Sequence, residues 1–253
     1  MNWNTSKIKE YGFAGLGLMV VLTLIGFVDI KAKEQRCQGV EIELIDNMDQ
    51  YYISKADIEK YITRNGQEPL EGRMLSSIDL GLLEERVREI NQIDFCEAYG
   101  DLKGVLHLSV KPFIPYARVS TGNSYSDKYL NEAGKIFPLS KYHSARVLLL
   151  SGNYFRGKKD LNTEKSKSIM ELIHTIKNDS FWNAQLSQMD VEINGEIKFV
   201  PVLGNQIIEF GQAENIDQKL KKLKVFYKQI AGVKGWDEFS KVKIQYANQV
   251  VCE

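Results

Sequence analysis

Apolar and polar positions alternate with two periods along this chain, and one stretch near its start has no charged position at all. Residues 11–28 read YGFAGLGLMVVLTLIGFV, eighteen positions without a charge. A helix over them, at about 1.5 Å per residue, covers roughly 27 Å, close to the ~30 Å hydrocarbon core of a bilayer. Thr23 is the one hydroxyl besides Tyr11, and a helix satisfies it against its own backbone. A cleaved signal has a shorter apolar core, roughly 7–15 residues, followed by small residues; here Asp29, Ile30 and Lys31 follow. The pattern predicts a membrane-spanning helix over 11–30, with a tail at 1–10 and a juxtamembrane linker at 31–38. Lys7 and Lys9 favour a cytoplasmic tail, whereas Lys31, Lys33 and Arg36 argue the other way. Charge alone leaves the direction open.

Beyond the linker the periods change. Residues 40–45 alternate as VEIELI, a half-buried strand. Ser54 and Asp57 form a capping signature for a short helix with Ile58 and Ile62 inside, ended by Asn65-Gly66. A second helix is predicted over 79–90, with Leu82, Leu83, Val87 and Ile90 at helical spacing. Strands at 93–99 and 105–110 flank the turn GDLKG. The order strand, helix, helix, strand, strand makes a module over 39–112. Two prolines within 111–115 disfavour a central strand and place a boundary there, with a second domain over 113–253.

The second region is richer in strands, predicted at 116–119, 128–130, 136–137, 147–150, 189–193, 197–201 and 206–210. Between them, 164–177 reads as an amphipathic helix with Ile169, Leu172, Ile173 and Ile176 on one face. Asn194-Gly195 signals a hairpin. A two-residue loop there would set Val191 and Ile193 on the face opposite Ile197 and Phe199. An extra loop residue or a bulge brings all four together, and that irregularity is predicted. A helix over 216–231 aligns Ile216, Leu220, Leu223, Phe226, Tyr227 and Ile230, leaving Lys219, Lys221, Lys222, Lys224 and Lys228 as a solvated face. The last strand, 241–250, alternates Val242, Ile244 and Tyr246 against Lys243 and Gln245.

Composition narrows the function by exclusion. Thirty-three basic and 33 acidic residues balance, so no global charge attracts nucleic acid or an anionic bilayer. Cys37, Cys96 and Cys252 stand apart, without metal spacing or a disulfide framework. His107, His143 and His174 have no paired-ligand spacing, and neither a GxSxG elbow nor a CxxC is present. Ser140-Lys141 and Ser166-Lys167 are adjacent pairs that do not face one another on a strand or helix. No cofactor, metal or catalytic residue is implied, which leaves interaction. The final strand is the candidate: Lys241 and Lys243 protect an edge, while Tyr246, Val250 and Val251 look adhesive. Strand addition by a partner and closure of the domain's own core fit these residues equally.

The sequence resembles the bacterial cell-division family FtsQ/DivIB, in its Bacteroidota form. The anchor and the βααββ module carry this, with VKPFIPYARV at 110–119, YLNEAGKIFPLS at 129–140, ARVLLLSG at 145–152 and KIQYANQVVC at 243–252. The resemblance implies an α+β architecture of a single N-terminal transmembrane helix, a POTRA-like module and a mixed β domain with packed helices and a C-terminal edge strand. It implies a cytoplasmic N-terminus, a periplasmic bulk at the inner membrane of the division septum, and scaffolding rather than catalysis. The partners implied are FtsB/DivIC-like and FtsL-like bitopic division proteins, docked by Ile244, Tyr246, Asn248, Val250 and Val251. Pro115, Ala117 and Arg118 match the family's domain-junction motif. Lys111-Pro112 departs from the usual pattern there, and Val251-Cys252 stands where many relatives have an aromatic. A POTRA-containing transport or secretion adaptor is the second expectation, and a membrane-tethered hydrolase the third.

Overall fold

The structure, a computed structural model, describes residues 18–20, 22–23, 35–45, 53–120, 122, 126–247 and 249–253. Most of the predicted anchor lies outside these residues. Within it, residues 18–20 and 22–23 are helical. The Thr23 hydroxyl donates to the carbonyls of Met19 at 3.0 Å and Val20 at 2.8 Å. Among the described residues no helix is long and apolar enough to cross a membrane. The rest forms two compact units that divide between Pro112 and Phe113.

The first unit has the predicted element order. It comprises β1 (Gly39–Leu44), α1 (Lys55–Ile62), α2 (Leu80–Arg88), β2 (Ile93–Gly100) and β3 (Val105–Pro112). The Ser54 hydroxyl accepts the Asp57 N–H at 3.1 Å, which fixes the start of α1. The helix ends because Arg64, Asn65 and Gly66 take φ of 48°, 56° and 84°. Asp79 caps α2 by accepting the Leu82 N–H at 3.0 Å. Ile58, Ile62 and Val87 are fully buried, each worth roughly 1.5–3 kcal/mol of apolar transfer. Leu82 departs from expectation and is 40% exposed. Leu83, Val87 and Ile90 define the inner stripe, and Leu82 sits one residue, about 100°, away from it.

The sheet runs β1-β3-β2, with β1 parallel and β2 antiparallel to the central β3. The prolines were expected to keep a strand out of this region, yet β3 includes Pro112. The β1 pairing ends at Leu44 opposite Val110, so Pro112 is flanked by β2 alone and costs the central strand nothing on its β1 side.

The second unit is built on a nine-stranded sheet. Its strands are β4 (Ala117–Val119), β5 (Lys128–Leu130), β6 (Ile136–Pro138), β7 (Leu148–Ser151), β8 (Leu186–Val191), β9 (Ile197–Pro201), β10 (Ile207–Gly211), β11 (Lys241–Lys243) and β12 (Val251–Cys252). They are ordered β12-β11-β10-β9-β8-β7-β4-β5-β6. Helices α3 (Lys167–Asn178), α4 (Ser180–Gln185) and α5 (Ile216–Phe226) cover the face carrying Leu150, Met189, Phe199, Ile208 and Val242. The predicted stripe of Ile169, Leu172, Ile173 and Ile176 is buried. Helix α4 was not predicted; Asp179 nucleates it by accepting the N–H groups of Phe181 at 2.8 Å and Trp182 at 3.1 Å.

The hairpin between β8 and β9 has the predicted irregularity. Val191 pairs with Ile197, and the Glu192 N–H donates to the Glu196 carbonyl at 2.9 Å. That leaves a three-residue loop with Gly195 at φ +87°. Val191, Ile197 and Phe199 share the core, as expected. Ile193 does not: it occupies the loop tip and is 82% exposed.

Helix α5 continues into a π-helical turn, Tyr227–Ala231, and a short helix α6, Gly232–Lys234. Tyr227 is buried against Phe181, Trp182 and Trp236. The side chain of Ile230 lies outside the described residues.

Candidate functional site

The lysines of α5 do not form one solvated face. Lys219 lies three residues after Ile216 and four before Leu223, which puts it on the apolar stripe. Its side chain is buried, its Nζ sits 4.8 Å from the Phe210 ring centroid, and it donates to the Gln212 carbonyl at 2.7 Å. Burial pulls its pKa below the ordinary lysine value, with Glu214 opposing that shift. Lys222, one turn on, is half-buried. Its Nζ donates to the Ile244 carbonyl at 2.8 Å and also to the Tyr246 carbonyl. Burial lowers its pKa too. Lys221, Lys228 and the half-buried Lys224 remain nearer the expected reading.

These bonds explain why the predicted strand over 241–250 is cut short. Only Lys241–Lys243 pairs with β10, in parallel, with Ile207 opposite Lys241. The Ile244 N–H still reaches the Glu209 carbonyl at 3.0 Å. From there Lys222 holds the two carbonyls that a longer strand would need for its ladder. Gly211, at φ +75°, lets the chain approach: a Cβ there would lie 2.9 Å from the Gln245 Cβ. The chain bends at Tyr246 and returns as β12, antiparallel to β11, with Cys252 opposite Val242 and Val251 opposite Lys243.

The outer edge of β11 is therefore occupied by β12, which is itself the C-terminal edge strand of the sheet. Glu253 and Lys241 exchange backbone bonds of 3.0 and 3.1 Å, and the Ser240 N–H donates to the Glu253 carbonyl at 2.7 Å. Lys243 Nζ meets Glu253 Oε1 at 2.5 Å. That contact raises the lysine pKa and lowers the carboxyl pKa.

The five predicted interface residues thus have different surroundings. Ile244 is fully buried in the core and offers no surface. Tyr246 is 43% exposed at the bend. Val250 and Val251 are half-buried, Val250 packing on the core rim. Asn248 lies outside the described residues. A groove of about 510 Å³ runs between α5 and the bend, lined by Gln218, Lys221, Lys222, Val225, Gln245 and Tyr246. Lys222 and the groove were missed from sequence; the spacing of Lys222, four residues before Phe226, was the available signal for the former.

The junction residues lie at the start of the second unit. Pro115 and Ala117 are buried, and Ala117 pairs with Leu130 and Leu148. Arg118 forms an ion pair with the nearly buried Asp127, Nη2 to Oδ2 at 2.8 Å and Nε to Oδ2 at 3.0 Å.

Several other polar groups are engaged structurally. The Ser166 hydroxyl is fully buried and accepts from Tyr154 and Thr163, each at 3.0 Å. His174 Nδ1 lies 3.1 Å from the Tyr116 hydroxyl. His107 stacks on Tyr99 and sits between Asp101 and Glu41, 3.3 Å from each. Cys96 is buried, and desolvation, with Glu84 nearby, pushes its thiol up to about 11. Among the described residues no group of three His, Cys, Asp or Glu side chains is placed to hold a metal.

A comparison with curated proteins gives no match. Two family comparisons do match: residues 35–111 to a POTRA-like domain and residues 114–253 to the family described as FtsQ/DivIB, C-terminal related. The first fits the βααββ unit with its β1-β3-β2 sheet, and the second takes in all nine strands of the second sheet together with the bend at Tyr246. With that second match extending over more than half of its length, the chain belongs to the FtsQ/DivIB family.

Proposed function

We propose that this chain is a membrane-anchored scaffold of the division machinery, tethered through residues 11–30 with its N-terminus in the cytoplasm and its two units in the periplasm at the septum. Its second unit docks an FtsB/DivIC-like bitopic partner, in an assembly with an FtsL-like protein, and so couples assembly of the machinery to septal wall synthesis. The observation carrying this reading is the presentation of Tyr246. An exposed aromatic stands at a bend whose backbone is pinned from behind by Lys222, beside a groove and next to an extended segment. Aromatic anchors with a rigid backing are the usual source of interface energy, because little entropy is lost when they bind. Tethering to the bilayer raises the effective concentration of bitopic partners. No cofactor takes part, and the interface residues are Tyr246, Asn248, Val250 and Val251, with Pro115, Ala117 and Arg118 shaping the start of the docking unit.

The test is Tyr246→Asp in the full chain, purified in detergent, measured against the FtsB/DivIC-like protein of the same organism. Loss of binding with an unchanged melting curve is expected. Undiminished binding rejects the docking surface. Recovery of transport components instead of division proteins from native membranes rejects the division role.

A further inference from the structure

Residues 35–38 enter the first unit between two turns. On one side the Gln35 side chain donates to the Leu102 carbonyl at 2.5 Å, and the Gln38 N–H donates to the Gly104 carbonyl at 2.8 Å. On the other, the Leu75 N–H donates to the Gln35 carbonyl and the Cys37 N–H to the Arg73 carbonyl, both at 2.8 Å. The fit against the first turn is close: Gly104 sits at φ +91°, and a Cβ there would stand 2.6 Å from the Arg36 carbonyl oxygen. Each turn presents one apolar and one basic side chain to solvent, Leu102 with Lys103 and Met74 with Arg73. Leu102 is 87% exposed and Met74 45%. Arg36 is exposed too, and its guanidinium donates to the Gly72 carbonyl at 2.7 Å, which holds it on the second turn.

We propose that this end of the first unit is a lipid-binding tip. Leu102 and Met74 enter the headgroup layer of the bilayer that holds the anchor, and Arg36, Arg73 and Lys103 bind the phosphates of anionic lipids around them. This rests on the anchoring through residues 11–30 proposed above and adds a second contact of the chain with the same membrane.

Three observations carry it. First, the tether is short. Five residue steps separate Ile30, the end of the proposed anchor, from Gln35, and fully extended they span at most about 18 Å. The two turns are bonded to Gln35 and Cys37 directly, so that tether keeps them within reach of the headgroups.

Second, the side chains are of the kind such a layer accepts. A leucine this exposed gains little from the fold, whereas burial at the boundary of headgroups and acyl chains recovers its transfer free energy. Arginine and lysine beside it can lay their stems along that boundary and keep their charged heads among the phosphates.

Third, the acidic groups nearby are turned elsewhere. The Asp101 carboxylate accepts the N–H groups of Lys103 at 2.9 Å and Val105 at 2.8 Å, and it contacts His107. Glu68, near enough to Arg73 to feel its charge, is paired with Arg64 and Arg86. The Glu71 carboxylate lies 4.0 Å from where a Cβ on Gly39 would stand, at the start of β1. In the linker, Lys31 and Lys33 offset Asp29 and Glu34. The tip keeps a local positive excess that the balanced composition hides, and such an excess suits an anionic bilayer surface.

The test uses the full chain carrying Cys252→Ser, reconstituted in nanodiscs; Cys37 and Cys96 are buried and leave an added cysteine as the site of labelling. An environment-sensitive thiol fluorophore is attached at Leu102→Cys or, as the control, at Phe95→Cys, an exposed position toward the other end of β2. The discs hold phosphatidylcholine alone or with an equal share of phosphatidylglycerol, and quenching by doxyl-labelled lipid is read. In the anionic discs, quenching at position 102 is expected to be at least about threefold that at position 95. It should fall about threefold or more in phosphatidylcholine alone, and likewise when Arg73→Glu and Lys103→Glu are added.

Equal quenching at the two positions overturns the tip. So does quenching at position 102 that ignores headgroup charge or the two charge reversals, since tethering by itself would give that result. Met74→Cys, labelled in the same way, repeats the measurement from the second turn under the same criteria. The two readings separate cleanly. A chain that does not enter the discs rejects anchoring through residues 11–30, and the tip with it; a chain that enters them without quenching at position 102 rejects the tip alone.

Discussion

Replacing Lys222 by methionine keeps most of the side-chain stem and removes the ammonium that bonds to Ile244 and Tyr246. A hydrogen bond to a charged group is worth about 1.5–3 kcal/mol net. Two such bonds from one ammonium do not add in full. Burial already pulls the Lys222 pKa down, which is the sign of a desolvation cost that methionine does not bear. Solvent also competes at this half-buried position. The net loss is therefore about 2 kcal/mol, or roughly 1 M in urea midpoint for a unit of this size. Trp182 and Trp236 both lie in the second unit, so tryptophan fluorescence follows its unfolding. Lys221→Met, on the exposed side of the same helix, is the control and is expected to change nothing measurable. Amide exchange supplies the local readout: the Ile244 N–H, bonded to the Glu209 carbonyl, should exchange faster in Lys222→Met than in Lys221→Met. A Lys222→Met midpoint within about 0.2 M of the parent, with unchanged exchange at Ile244, would refute the pinning role.

Three further outcomes are expected. Asp101 is held below its ordinary value of 3.8, first by the Val105 N–H and then by His107 and the Lys103 N–H. Its depressed pKa means that its contribution is complete above the ordinary carboxylate value and fades as pH falls through the folded one. Exchange protection of the turn between β2 and β3 should thus drop below about pH 4, and Asp101→Asn should flatten that dependence. Cys96, with its thiol pushed up to about 11, should react with iodoacetamide at pH 7.5 on the order of a hundredfold more slowly in the folded chain than after unfolding in urea, as read by peptide mass spectrometry. Arg118→Ala leaves the nearly buried Asp127 without its guanidinium and should cost about 2–3 kcal/mol in the urea transition of the second unit, with Arg118→Lys recovering only part.

Local structure is legible in the sequence where one interaction decides the outcome. Ser54 and Asp57 announce the start of α1, and the inward stripes of α1 and α3 follow from 3.6-residue spacing. The need for an extra residue in the β8–β9 hairpin followed from the alternation of its strands, although Ile193 went to the loop tip, because the extra residue had to be taken from somewhere. Legibility failed where a distant group intervenes. Nothing within 241–250 says that Lys222, some twenty residues earlier, takes the carbonyls a longer ladder would use. Val251-Cys252 is too short a run to be recognised as a strand, so the closed edge of β11 was invisible. Lys219 is a different case: its spacing from Ile216 and Leu223 puts it inside, against what its charge alone suggests. Asp179 likewise carried a cap signal for α4, hidden by the brevity of the helix behind it.

The π-helical turn at Tyr227–Ala231 gives this helix one residue more than an α-helix of the same length needs. The extra residue separates two alignments that a continuous α-helix would lock together. Upstream of it, Lys222 is aimed at the Ile244 carbonyl; downstream, Trp236 and Phe239 return to within 5.6 and 6.1 Å of the Tyr227 and Phe226 rings. Length changes elsewhere nearby are far less forgiving, since one residue added to β10 or β11 would turn each strand inside out. Relatives that differ by a single residue in this region should therefore differ at this turn, where the register has already slipped once without disturbing either end.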